Sequence, residues 1–203
     1  MPLFIITEEV EELVVTAMKR SSTVQDLPAS ITAIGSTEIE DRGIEDMHDL
    51  KHIVPSMNFT NVLGSQNITI RGIGQFNGNP GIALSTDGVF QSRSHSSQLG
   101  EMDLQRVEVL RGPQGTLYGR NSIGGVVNLI TKNPSQDQDG YIRLGYGNYD
   151  TTKIETAFGG GISENTSYRL VLSSTDQGQG YYDCLNAGCG EQGYTDRQAY
   201  RLK

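Results

Sequence analysis

The sequence predicts an α+β domain of short strands with small helices, followed by the first four antiparallel strands of a transmembrane β-barrel. Arg106 to Lys132, RVEVLRGPQGTLYGRNSIGGVVNLITK, sets β-branched and apolar runs (Val107, Val109; Val126, Val127, Leu129, Ile130, Thr131) around Gly112, Pro113, Gly115, Gly119, Gly124 and Gly125. That is strand, glycine-rich loop, strand. After Gly140 the hydrophobicity alternates with period two. The composition agrees: 25 glycines, nine tyrosines, no tryptophan and a hydrophobic fraction of 35% lean away from a helical bundle.

The chain has 203 residues and a formal net charge of -8, which argues against a basic nucleic-acid footprint and leaves no nucleic acid among the expected partners. No window approaches the roughly 18 to 20 consecutive apolar residues of a membrane helix, which excludes helical spans but not a barrel. MPLFIITEEVEE lacks the basic and long apolar regions of a signal peptide, so either the protein is cytoplasmic or its start is missing.

In chain order, the acidic run Glu8, Glu9, Glu11, Glu12 precedes Leu13, Val14, Val15, Thr16 and Ala17, then Lys19-Arg20. These β-formers suit a strand that pairs with another chain's edge or with the edge of the protein's own sheet. Ser21 to Asp26 reads as a polar linker. Ile31 to Ile34 is a short strand, and Thr37 with Glu40 predicts a capping box on a helix ending at Gly43. A second helix is expected from Ile44, Met47, Leu50, Ile53 and Val54, stopped by Pro55. His48 and His52 stand four apart on it without a third ligand, so they read as surface or partly buried side chains and no metal site is expected.

From Asn58 to Val109 short strands alternate with polar loops. Asn67 to Ile73 is one strand, and Ile82 to Phe90 is a hairpin turning at Asp87-Gly88. Leu63 to Gln66, Gln75 to Pro80 and Gln91 to Gln98 are loops whose composition suits a ligand surface.

Pro134 to Gly140 is a hydrophilic boundary. Ile142, Leu144, Tyr146; Ile154, Thr156, Phe158; Tyr168, Leu170, Leu172; and Gln198, Tyr200, Leu202 then form one side of four strands, with charged or small residues on the other. The connections Asn148 to Thr151 and Gly160 to Thr166 are short. Asp176 to Asp196 is long and lies on the side opposite Gly160 to Thr166, as in an up-and-down membrane barrel with long outer loops. It holds both cysteines, Cys184 and Cys189, which form a disulfide in an oxidising compartment or remain two thiols. No GK[ST] phosphate loop, dinucleotide fingerprint, G-x-S-x-G elbow or H-E-x-x-H is present, so neither an enzyme nor a cofactor is expected.

The long stretch from Arg106 to Lys132 resembles the signature of the plug domain of TonB-dependent outer-membrane receptors. Leu13 to Ala17 after its acidic run resembles their TonB box, Asn67 to Gly74 their I-R-G segment, and Asp87-Gly88-Val89 their D-G-V. The resemblance implies an N-terminal segment with the TonB box at 1–23, a plug domain at 24–134 and the start of a Gram-negative outer-membrane barrel of roughly 22 strands at 135–203. The chain then reads as a fragment of a longer receptor.

The resemblance further implies that Leu13, Val14, Val15, Thr16 and Ala17 add as a strand to TonB, which works with ExbB and ExbD to draw on the inner-membrane proton gradient. Arg71 and Arg111, with Glu108 nearby, would make plug–barrel contacts. Gln66, Gln75, Phe76, Asn77, Gln91, Arg93 and His95 would meet a small-molecule ligand, a ferric siderophore being the most familiar cargo. The competing readings are a soluble β-rich binding module, or an outer-membrane signalling or adhesion receptor without transport.

Overall fold

The structure, a computed structural model, describes residues 14–15, 22–23, 30–44, 46–62, 65–75, 79–91, 103–182 and 193–203. It divides into two units, Met1–Ser97 with Arg106–Ile130 and Gln98–Gln105 with Thr131–Lys203.

In the first unit, β1 (Val14–Val15) pairs antiparallel with β2 (Ser22–Thr23). β3 (Ser30–Gly35) leads into α1 (Ser36–Asp41). The helix starts two residues earlier than the capping box requires, so Thr37 lies inside its first turn and Gly35 is an N-cap without a side-chain hydrogen bond. The capping box is therefore not formed, although Gly43, at φ +60°, does end the helix.

The second expected helix is only a 3-10 turn, Asp49–His52. Asp46 Oδ1 accepts the backbone N–H groups of His48 (2.7 Å) and Asp49 (3.2 Å), and Asp49 Oδ2 accepts that of Asp46 (3.1 Å). These carboxylates take bonds that helix carbonyls would otherwise make. The apolar face survives regardless, with Ile44, Met47, Leu50 and Val54 buried. His48 packs its ring 5.2 Å from that of Phe59, and His52 is exposed.

β4 (Met57–Val62) pairs antiparallel with β5 (Ser65–Ile70). Two corrections follow. Gln66 belongs to a strand, opposite Asn61, rather than to a loop. The strand expected to reach Ile73 stops at Ile70 because Arg71 (φ 53°) and Gly72 (φ 78°) reverse the chain, with Ile70 and Ile73 exchanging backbone hydrogen bonds of 3.0 Å. β6 (Ile82–Thr86) and β7 (Val89–Gln91) form the expected hairpin, with Asp87 and Gly88 at φ 48° and 83°.

β8 (Leu104–Arg111), the short α2 (Gly115–Tyr118) and β9 (Gly125–Thr131) realise the glycine-rich stretch. They complete a five-stranded sheet in the order β3-β8-β9-β6-β7. β3 and β8 are antiparallel, whereas β6 and β9 are parallel. Two glycines let these strands approach: a Cβ on Gly124 would lie 2.5 Å from Ile82 Cδ1, and one on Gly125 would lie 2.4 Å from the Leu110 carbonyl oxygen.

The second unit carries β10 (Asp139–Gly147), β11 (Thr151–Ser163), β12 (Thr166–Gln177) and β13 (Asp196–Leu202), antiparallel and in sequence order. β11 continues three residues beyond Gly160, past a register shift at Gly161/Ser163, so the connection to β12 is shorter than the sequence suggested.

Gly125→Ala places a methyl group against the Leu110 carbonyl at φ 155°. It is expected to destabilise the first unit by about 2 kcal/mol, seen as faster hydrogen exchange of the β8 and β9 amides; unchanged exchange would contradict the close-packing account.

Candidate functional site

One face of the five-stranded sheet carries two of the candidate residues, Val15 and Glu108. Register places Ile31 opposite Leu110 and Ala33 opposite Glu108, while Ala83 pairs with Val126 and Ser85 with Asn128. Because side chains alternate along a strand, the face carries two neighbouring rows. The first, Ile31, Leu110, Val126 and Ala83, is apolar, and Val15 is packed on it with no exposed surface. Val14 and Val15 are therefore paired with Thr23 and Ser22, and Val15 is docked on the sheet. Leu13, Thr16 and Ala17 lie outside the described residues.

The second row is polar and buried. Glu108, 0% exposed, accepts from Arg106 Nε at 2.7 Å and from Asn128 Nδ2 at 3.2 Å. Ser85 Oγ and Asn128 Oδ1 are buried without a hydrogen-bond partner among the described residues. Half-buried Tyr118 packs against the apolar row; burial first and the Glu108 carboxylate second push its phenol up to about 12, so it stays protonated. Glu108 thus sits inside the sheet, with Arg106 and Asn128 among its partners, and not at the plug–barrel contact surface that the resemblance implies.

Arg71 and Arg111 lie on another part of the unit. Arg71 is exposed, with Nη1 3.9 Å from where a Cβ on Gly112 would be. Half-buried Arg111 keeps its Nε buried without a partner, and neither arginine forms an ion pair among the described residues. Of the ligand candidates, Gln75 is exposed and donates its N–H to Asn67 Oδ1 (2.9 Å), Gln91 ends β7 half-buried, and Gln66 lies in β5. Phe76, Asn77, Arg93 and His95, like Cys184 and Cys189, lie outside the described residues.

The four-stranded sheet is two-faced. Ile142, Leu144, Tyr146, Ile154, Phe158, Leu172, Tyr200 and Leu202 share one face and are all exposed, Leu144 at 76% and Tyr200 at 86%. The other face holds an ion cluster that sequence reasoning missed. Buried Arg169 forks onto Asp103 through Nε (2.5 Å) and Nη2 (3.1 Å), and reaches both Asp139 oxygens from Nη1 at 2.9 Å. Arg201 Nη2 stands 3.4 Å from Asp103. The Tyr141 hydroxyl, 3.1 Å from Asp103 Oδ1, also donates to Glu155, and the Arg143 guanidinium lies 4.2 Å from the Tyr141 ring centre. The period-two pattern does put Tyr141, Arg143, Glu155, Arg169 and Arg201 on one side, but nothing in the sequence brings Asp103 to them.

Residues 23–126 match the family model described as the TonB-dependent Receptor Plug Domain, which is half of the chain. The chain belongs to the TonB-dependent receptors. It is 34% identical over 185 residues to the pesticin receptor of Yersinia pestis, covering 88% of this chain and 27% of that receptor. The ferric yersiniabactin uptake receptor from Yersinia pestis superposes with a TM-score of 0.72 at 29% identity, over 86% of this chain and 28% of its own. The ferripyoverdine receptor of the outer membrane of Pseudomonas aeruginosa gives 0.71 at 25% identity, over 87% and 24%. The chain therefore spans about a quarter of the length of the curated relatives it matches.

Membership in the TonB-dependent receptors places the chain in the Gram-negative outer membrane. A sheet with one exposed apolar face and one charged face is what a wall strand between lipid and a polar interior requires. Within the second unit Asp103→Ala leaves the buried Arg169 guanidinium one carboxylate short, at a cost of about 3 kcal/mol. Replacing both partners, Asp103→Leu with Arg169→Met, is expected to cost less than Asp103→Ala alone. Urea unfolding of the intact receptor in detergent checks this, and a larger loss for the double variant would contradict the pairing.

Proposed function

We propose that the intact receptor imports a ferric siderophore across the outer membrane, energised by TonB with ExbB and ExbD, and is a transporter rather than an enzyme. Support for the cargo comes from the relatives named for ferric yersiniabactin and ferripyoverdine. In this reading residues 1–23 carry the TonB box, 24–134 form the plug and 135–203 begin the barrel.

The observation that carries the reading is the strand character of Val14–Val15. Its ladder with Ser22–Thr23 is two residues long. So short a pairing contributes little, and a longer exposed edge on TonB replaces it by strand addition. Leu13 to Ala17 then supply main-chain hydrogen bonds across which a pull is transmitted.

Arg71 and Arg111, without carboxylate partners among the described residues, take theirs from the barrel wall, where hydrated ion pairs hold the plug yet let it yield. The ligand meets Gln75, Phe76, Asn77, Gln91, Arg93 and His95, with Gln66 at the start of the same strand pair. Arg93 suits an anionic chelate and Phe76 a ring. Cys184 and Cys189 close a disulfide in the long loop between β12 and β13.

Val14→Pro removes a donor from the added strand. In the intact receptor it is expected to lower energised uptake by about tenfold or more, the equivalent of about 1.4 kcal/mol of lost pairing, while ferric-siderophore binding at the cell surface is unchanged. Uptake at the unaltered rate would count against strand addition.

A further inference from the structure

We infer that Asn67, Gly74 and Gly81 form a neck that fixes both ends of the connection from Gln75 to Pro80, and so act as positioning residues for chelate binding. The inference rests on the proposed siderophore reading and names plug residues that set affinity without touching the ligand.

The entry to the connection is built on β5. Arg71 and Gly72 reverse the chain, Ile73 pairs back on Ile70, and Gly74 comes to lie against Asn67 and Thr69, which share one face of β5. A Cβ on Gly74 would strike Thr69 Cγ2 and stand 3.2 Å from Asn67 Oδ1. That same Asn67 oxygen accepts the Gln75 N–H at 2.9 Å.

The exit is held from the β8–β9 side. The Gly81 carbonyl accepts the Gly124 N–H at 2.9 Å, and a Cβ on Gly124 would lie 2.8 Å from Ile73 Cβ. Entry and exit also meet: a Cβ on Gly81 would strike the Gly74 carbonyl oxygen. All these residues belong to the first unit, so the neck is complete within the plug.

Three backbone segments therefore cross at a spacing that only glycine permits. Bringing the ends of a loop together costs entropy, and here the cost is met in folding rather than on binding. A ligand that meets a connection held at both ends loses less to ordering it, which raises affinity mainly by slowing release. Asn67 contributes through one oxygen, which Asp retains and Leu lacks. Gln75 is exposed, so water replaces the lost bond and the fold itself is little affected.

The test compares Asn67→Leu, Asn67→Asp and Gly81→Ala in the intact receptor in detergent. Two quantities are read: hydrogen exchange at the Gly124 amide, and dissociation of ferric yersiniabactin and of ferripyoverdine, the probes drawn from the relatives. The Gly124 amide bonds to Gly81 and not to Asn67, so it responds to Asn67→Leu only where the neck acts as a unit. In Asn67→Leu exchange and dissociation are both expected to rise about tenfold, while Asn67→Asp keeps both within about twofold of the unaltered receptor. Gly81→Ala is expected to raise both further.

Unchanged exchange at Gly124 in Asn67→Leu overturns the neck. Faster exchange with unaltered dissociation overturns its positioning role, as does equal loss of affinity in Asn67→Asp and Asn67→Leu, which marks Asn67 as a direct ligand contact. An unaltered receptor that binds neither chelate contradicts the proposed cargo, and exchange alone then decides the neck. Should Gly81→Ala not reach the membrane, the two Asn67 variants decide.

Discussion

A carboxylate without solvent exposure, Glu108, sets the terms on which the plug sheet folds. Burying such a charge is tolerable only with close partners, and breaking a buried pair typically costs about 3 to 5 kcal/mol. Arg106 supplies the charge from the same strand and Asn128 reaches across from β9, so β8 and β9 are fixed relative to each other by side chains as well as by backbone. The sheet around them is closed by glycines at 124 and 125, where any larger residue would strike Ile82 or the Leu110 carbonyl.

The second unit obeys the opposite rule. Its large apolar side chains point outward from one face and its ion cluster occupies the other. In a water-soluble sheet an exposed band of this kind would be a liability. A band of this kind is what lipid-facing strands of a membrane barrel carry. Arg169 and Asp103 sit on the polar side, where charge is tolerated because partners are dense: Asp139, Arg201 and Tyr141 lie within hydrogen-bond or ion-pair reach of one or the other.

Much of this was legible in the residues. The Asp87-Gly88 hairpin, the sided strands after Gly140 and the strands flanking the glycine-rich loop follow from period and turn chemistry, which are local. The second helix was not, because Asp46 and Asp49 used their side chains as acceptors and left a 3-10 turn where the apolar spacing suited a helix. Arg71 ended its strand early because it takes a left-handed conformation next to Gly72. The inward direction of Glu108 depends on β3 and β9 pairing on either side of β8, a tertiary fact that neither its local pattern nor the resemblance carries. Asp103 was missed for the same reason: its partner Arg169 is far away in the chain and meets it only once the four-stranded sheet forms. The burial of Val15 against the plug likewise could not be separated from a free segment by its β-forming composition.

The account's central claim is that this plug and wall belong to an importer driven from the inner membrane. Its most direct test is accumulation of radio-iron presented as a ferric siderophore to cells whose only outer-membrane route for it is the intact receptor, before and after a protonophore collapses the proton gradient. The account predicts that surface binding persists while accumulation stops. Accumulation that continues without the gradient, or a receptor that binds no ferric chelate, would contradict it.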